Sequence, residues 1–220
     1  MIRTIIFDWD GTLHNTARLY GCAFRAAYEF LVQEGQAPKH VYCDEDVSCY
    51  LGMNPPDMWN TFMPELPQRY KEQAIKLVGE QMVAQIVAGK AQLYAGVEAM
   101  LDTLKAQGYT LVVLSNCKHD YMEAHKATFG LDQWFSAYYC GEDFDYAPKE
   151  EIFAAFEEAH PKDFVMIGDR CSDFAVAQAH GLRSIACAYG FGDAEEYTSA
   201  DLIAHSPADI PALISLAQGI

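Results

Sequence analysis

With 220 residues, 15 Lys and Arg against 31 Asp and Glu, and a formal net charge of −16, the chain is too acidic to favour nucleic acid or an anionic membrane surface. Apolar residues make up 51% and charged ones 21%, the balance of a globular protein with room for one domain carrying an insertion. The 7 cysteines are odd in number with no C-x-x-C pair, and the 7 histidines show no H-x-H or H-E-x-x-H spacing, which argues against a disulfide framework, a zinc ribbon or a histidine metal site.

The opening "MIRTIIFDWDG" has a short apolar run broken by Asp8 and no small-residue cleavage site, so no signal peptide is expected. No apolar stretch approaches the ~20 residues of a membrane span. The expected location is the cytoplasm. "RTIIFD" predicts a first strand ending at Asp8. Residues 16 to about 90 then show no convincing strand. "TARLYGCAFRAAYEFLVQEG" places Leu19, Ala23, Ala26, Ala27 and Phe30 at helical spacing, and "LPQRYKEQAIKLVGEQMVAQIVAG" does the same with Tyr70, Ala74, Leu77, Val78, Met82 and Ile86. Between them "YLGMNPPDMWNTFMPELP" is rich in Pro and Gly and predicts loops and short helices.

From residue 91 strands and helices alternate. "GVEAMLDTLKAQG" predicts a helix with Val97, Met100, Leu101 and Leu104 on one face and Gly108 as its stop. Strands follow in "YTLVVLSN", "AYYCGED", "DFVMIGD", "RSIACAYG" and "ADLIA", with helices in "HDYMEAHKATFG", "KEEIFAAFEEAH" and "SDFAVAQAHG". The alternation predicts an α/β fold: a Rossmann-like parallel sheet core from residues 1–15 and 91–220, interrupted by an all-α helical insertion over 16–90.

Polar clusters fall at the carboxyl ends of the strands, where open parallel sheets bind ligands. They are Asp8 and Asp10, Ser115 and Asn116, Asp169 and Asp173, with Lys149 opening the helix after the strand near 140. Several carboxylates in one crevice repel unless a cation offsets them, and an all-oxygen set suits Mg²⁺ sharing its shell with a phosphate. Ser115 and Lys149 supply donors for phosphate oxygens. Around Trp9, Gly11 and Thr12 the main-chain N–H groups can turn toward the same anion. One carboxylate is then free to act as a nucleophile. Asp10, two residues beyond Asp8, is expected on the same side of an extended chain, as general acid and then base. A calcium loop starting at Asp8 would need Gly at its sixth position and Glu at its twelfth; Leu13 and Leu19 stand there. Helix capping is an alternative for Ser115 and Asn116, and for Asp169 with Asp173.

"DWDGT", "LSN", Lys149 and "GDRCSD", in this order and each after a strand, resemble the haloacid dehalogenase superfamily. The region from "LYAGVEAMLDTL" to "YYCGED" and the tail "AYGFGDAEEYTSADLIAHSPADIPALI" resemble its phosphoglycolate phosphatase-like branch. The resemblance implies a helical cap over 16–90, with "YLGMNPPDMW" as its substrate loop and Gly52, Met53 and Trp59 as candidates to meet the substrate. It implies Asp8 as nucleophile, Asp10 as acid/base whose carbonyl also serves the metal, Ser115 and Lys149 as phosphate ligands, and Asp169 as Mg²⁺ ligand supported by Asp173. The chain departs from the pattern at Asn15, where an acid is common, and after Lys149, where "EEIF" replaces two prolines; Lys118 is the competing lysine. His14 is expected to face the gap between insertion and core, and Cys117 and Cys171 to be passive neighbours.

The expected function is Mg²⁺-dependent hydrolysis of a small phosphorylated metabolite, phosphoglycolate-like, through an aspartyl-phosphate. A phosphomutase of the β-phosphoglucomutase kind and a non-catalytic regulatory binding protein are the alternatives. Asp10 argues against a dehalogenase. The sequence specifies no oligomeric state.

Overall fold

The six apolar runs pair side by side as one parallel sheet: β1 (Thr4–Phe7), β2 (Thr110–Ser115), β3 (Phe135–Cys140), β4 (Phe164–Gly168), β5 (Arg183–Cys187) and β6 (Leu202–Ala204), in the order β3-β2-β1-β4-β5-β6. The structure, a computed structural model, describes residues 1–219; position 220, the end of the expected core segment, lies outside the described residues. Near-continuous Val, Ile and Leu runs fit strands covered on both faces. Ile5, Phe7, Leu111, Val113, Val165 and Ile167 belong to one buried cluster, and Ile6, Val112, Leu114 and Met166 to the other. This is the period-two alternation of a strand written into two separate cores.

The helices of the alternating region are α5 (Val97–Ala106), α6 (His119–Phe129), α7 (Lys149–Phe156), α8 (Cys171–His180) and α9 (Ile210–Ala217). Val97, Met100, Leu101 and Leu104 of α5 are buried as their spacing requires, and Gly108 follows in the left-handed region at φ 87°. Ile152, Phe153 and Phe156 of α7 and Val176 of α8 build the cluster around Ile6, whereas α5, α6 and α9 contribute to the cluster around Phe7.

Between β1 and β2, residues 16–90 form α1 (Ala17–Gln33), α2 (Asp44–Ser48), α3 (Pro55–Phe62) and α4 (Gln68–Val87), without a strand. Asn54 caps α3 by accepting from the Asp57 N–H at 2.8 Å, and Pro55 occupies the first turn, where a missing N–H costs nothing. The buried stripe of α1 differs from the expected one. Ala26 is exposed and Phe30 half-buried, while Phe24, Tyr28 and Leu31 are inside beside Leu19, Ala23 and Ala27. Aromatic side chains decide this rotation. The Phe24 ring stacks on Trp59 at 5.8 Å and meets Phe62 at 5.1 Å and Tyr42 at 5.5 Å, a cluster that small alanines cannot outweigh. The two chain crossings between insertion and sheet run side by side, with Asn15 N donating to Gln92 O at 2.9 Å and Tyr94 N to Leu13 O at 3.0 Å. Among the described residues, no helix is long and apolar enough to cross a membrane.

Phe153 is fully buried and meets Phe156 at 5.4 Å, Phe164 at 5.1 Å and His180 at 4.7 Å. Phe153→Ala is expected to lower unfolding stability by about 3–5 kcal/mol, measured by chemical denaturation.

Candidate active site

The central position of β1 sets the site. Its neighbours are β2 and β4, so Asp8, Ser115 and Asp169 emerge at adjacent strand ends although 161 positions separate Asp8 from Asp169. The alternation that sends Ile6 toward α7 and α8 sends Asp8 to the same face. There Lys149 Nζ, from the first residue of α7, donates to Asp8 Oδ1 at 2.7 Å and to Asp173 Oδ1 at 2.6 Å. All three side chains are buried. Asp173 Oδ2 accepts from the Arg170 N–H at 3.0 Å, which fixes it at the start of α8. Asp169 accepts from Thr12 Oγ1 at 3.2 Å and from the Phe191 N–H at 2.7 Å. Carboxylate oxygens of Asp8, Asp169 and Asp173 all lie within 4.8 Å of one another.

Gly11 makes this closeness sterically feasible. It sits at φ 87°, and a Cβ there would collide with the Asp169 carboxylate. Its own N–H donates to the His14 carbonyl at 2.9 Å, so Gly11 contributes space here rather than a free donor. Trp9 is wholly buried with its ring against His14, so any approach to an anion is left to its main chain.

Asp10 departs from the expectation of a shared side with Asp8. β1 ends at Phe7 and the chain turns over residues 11–13, so the period-two rule no longer applies. Asp10 Oδ1 is held by Thr16 Oγ1, by Tyr121 Oη at 2.7 Å and by His14 Nδ1 at 3.1 Å. Tyr121 belongs to α6, so the partners of Asp10 come from the sheet face opposite to those of Asp8. His14 is fully buried rather than at a gap. Beside it lies His125, also buried, with neither ring nitrogen hydrogen-bonded. Tyr121, Thr16 and His125 escape a sequence reading, because no local pattern ties α6 to a turn more than 100 positions upstream.

The two carboxylates titrate in opposite directions. Burial drives Asp8 well above the ordinary carboxylate value, and the charge of Lys149 offsets this only in part. Burial would also raise Asp10, but the hydrogen bonds and charge of His14 and the Thr16 hydroxyl outweigh it and hold Asp10 below its usual value. Burial and the charge of Asp173 push Asp169 up to about 7, against the Phe191 N–H. Burial would lower Lys149, yet Asp173 and Asp8 lift it above an ordinary lysine. Burial brings His125 down to about 2, so it stays neutral.

Asp8, Asp10 and Ser115 open into a cavity of about 790 Å³ between the sheet edge and the helical insertion. Gly52, Met53 and Trp59 line it, though Trp59 is fully buried in the aromatic cluster. Two hydrogen bonds tie the loop before α3 to the sheet: Asn116 Nδ2 donates to Gly52 O at 3.1 Å, and Arg170, paired with Glu196 at 3.1 Å, donates to Leu51 O. Lys118 also lines the cavity but pairs with Glu142 at 3.3 Å, so Lys149 is the lysine among the buried carboxylates. Cys117 is buried and Cys171 exposed; all seven thiols are free.

The family model described as haloacid dehalogenase-like hydrolase matches residues 5–187. The chain belongs to that family. Among haloacid dehalogenase-like relatives, a phosphoglycolate phosphatase from Haemophilus influenzae is 26% identical over 205 residues, 86% of this chain and 87% of the relative. The tyrosine-protein kinase PtkA from Mycobacterium tuberculosis is 27% identical over 211 residues, 92% of this chain and 68% of the relative. A crystal structure of a predicted phosphatase from Clostridium acetobutylicum shares the fold with a TM-score of 0.85 at 24% identity, over 97% of this chain and 98% of that one.

Lys149→Met would leave the buried carboxylates facing each other without their cation, at an expected cost of about 3–5 kcal/mol in unfolding free energy. Without the lysine the Asp8 and Asp169 pKa values rise further, so the folded state holds protons that the unfolded chain releases. The loss is therefore larger at pH 8 than at pH 5, as urea denaturation at the two pH values will show.

Proposed function

We propose that this hydrolase is a Mg²⁺-dependent phosphatase that cleaves a phosphomonoester of a small metabolite through an aspartyl-phosphate on Asp8. The observation that carries the reading is the Asp8–Lys149–Asp173 bridge with Asp169 beside it, reached from the cavity through Asp8. Three carboxylates meet one ammonium there, and burial together with the charge of Asp173 raises Asp169. An oxygen-only donor set within 4.8 Å, with excess negative charge, fits a hard divalent cation. Asp8, Asp169 and the Asp10 carbonyl would hold Mg²⁺, with Asp173 fixing Lys149 behind them. When bound, the ion adds positive charge beside the phosphoryl oxygens.

Lys149 occupies Asp8 Oδ1, which leaves Oδ2 as the attacking atom. Attack on phosphorus forms the Asp8–phosphorus bond as the ester bond breaks, and Asp10 delivers a proton to the departing oxygen. In the second step Asp10 takes a proton from water, whose oxygen attacks phosphorus and frees Asp8. Asp10 is held ionised by His14, Thr16 and Tyr121, the form suited to accepting a proton. Acting first as an acid requires Asp10 to take up a proton, which those hydrogen bonds oppose until one loosens. Ser115, Asn116 and Lys149, with the main chain of Trp9 and Thr12, would orient the phosphate, where positioning and electrostatics dominate. Residues 1–15 and 91–219 serve as the core and 16–90 as the cap, which excludes water through the Asn116 and Arg170 ties to the cap loop.

With the wild-type chain and Mg²⁺, a panel of phosphomonoesters is expected to release inorganic phosphate; an isomeric phosphoester without free phosphate would identify a mutase instead. Asp8→Asn is expected to lower turnover by at least about a thousandfold, and full turnover in that variant would refute the mechanism.

The charge argument also predicts a metal effect on stability. An Asp169 raised to about 7 contributes stability that is lost as pH rises from the ordinary carboxylate value toward 7, because only the folded state keeps its proton. His125 works in the opposite sense: lowered to about 2, it loses stability as pH falls below the ordinary histidine value. Taking the difference in melting temperature with and without MgCl₂ cancels His125. That difference should be larger at pH 8, where Asp169 is ionised, than at pH 5, where a proton competes with the ion.

A further inference from the structure

We propose that the alcohol half of the substrate is an apolar, ring-bearing group that carries a hydrogen-bond acceptor and no second negative charge. The inference rests on the phosphatase reading above and concerns the part of the cavity beyond the phosphate end.

Three observations converge. The cavity of about 790 Å³ that begins at Asp8 and Ser115 is far larger than a two-carbon acid would fill. Its far wall is apolar: Ile75, Val78 and Val83 of α4 line it, and each is only partly covered by the rest of the chain. Met53, Met58 and Tyr50 line it too. Such surface gains free energy when a ring displaces water from it.

The cations on the wall each have a partner. Lys76 and Lys118 are the cationic side chains lining the cavity among the described residues. Lys118 faces Glu142 at 3.3 Å and Lys76 faces Glu80 at 3.7 Å. Glu80 and Asp120 stand on the same wall. A carboxylate or second phosphate on the leaving group would therefore meet no free cation and would have to displace an existing partner, in a chain of net charge −16.

Unpaired donors supply the third observation. Tyr20 and Trp59 line the cavity, both nine-tenths or more buried, and neither the Tyr20 hydroxyl nor the Trp59 indole N–H has a hydrogen-bond partner. Buried donors left unmade are costly, and an acceptor on the ligand would satisfy one.

The test uses the wild-type chain with Mg²⁺ and esters of similar leaving-group reactivity: phosphoglycolate, 2-naphthylmethyl phosphate and a set of isomeric quinolinylmethyl phosphates. The naphthyl ester is expected to exceed phosphoglycolate in kcat/KM by about ten- to hundredfold, the ratio for burying a ring-sized apolar group. The best quinolinyl isomer is expected to exceed the naphthyl ester. A kcat/KM for phosphoglycolate equal to or above that of the ring esters overturns the inference while leaving the phosphatase reading intact. No quinolinyl isomer above naphthyl removes the acceptor. Calorimetric binding of 2-naphthylmethylphosphonate against phosphonoacetate, which needs no turnover, separates the two readings. Tighter naphthyl binding without hydrolysis of any ester would sustain the pocket and sink the phosphatase. Equal or weaker naphthyl binding would sink the pocket.

Discussion

The ammonium of Lys149, shared between Asp8 and Asp173, is the contact on which the organisation of this protein depends. It joins the end of β1 to the first turns of α7 and α8 among buried side chains, where an unpaired charge is costly. Two carboxylates and one ammonium do not balance once Asp169 is added. The excess negative charge is held in place by folding alone, because the strands and helices that carry it are fixed by hydrophobic burial on both faces of the sheet. Packing free energy thus maintains an electrostatically unfavourable site, in which Asp8 and Asp169 hold their protons above the ordinary carboxylate value.

The sheet register is what makes this possible. Phe7 pairs with Ile167 on one side and Val113 on the other, so Asp8 follows one residue beyond that row and Ser115 and Asp169 two residues beyond it. A slip of one residue in β1 would turn Asp8 to the opposite face, away from Lys149, and would expel Ile6 from its cluster at the same time. Function and core therefore fix the same register. The divergence of Asp8 and Asp10 follows from where pairing stops. The first is still governed by the strand, while the second is governed by the turn and by Thr16, His14 and Tyr121.

Much of this was readable before any coordinates. The three central strands announce themselves as short runs of β-branched and apolar residues closed by a polar one, as in "IIFD" and "VMIGD", and the convergence of Asp8, Ser115 and Asp169 follows from parallel pairing. What was not readable is whatever depends on contacts between distant segments. The tilt of α1 is decided by Phe24 meeting Trp59 and Phe62, not by the alanine spacing. The environment of Asp10 needs Tyr121, and the tethering of the Leu51–Gly52 loop needs Arg170 and Asn116, none of which has a local signature. Lys149 stood out by its place after the third strand and by resemblance, but a lysine opening a helix is ordinarily solvated; burial between two aspartates is a property of the assembled fold.

The placement of the three tryptophans has a practical corollary. Trp9 lies stacked on His14 behind Asp10, Trp59 is stacked against Phe24 inside the helical insertion, and Trp134, just before the edge strand β3, donates its indole N–H to Asp102 at 2.7 Å. Each indole therefore samples a different part of the molecule, and each has a distinct quencher or polarity around it. Intrinsic emission from chains retaining one indole at a time would act as three separate optical gauges, reporting on the turn after β1, the insertion and the sheet edge without any added label.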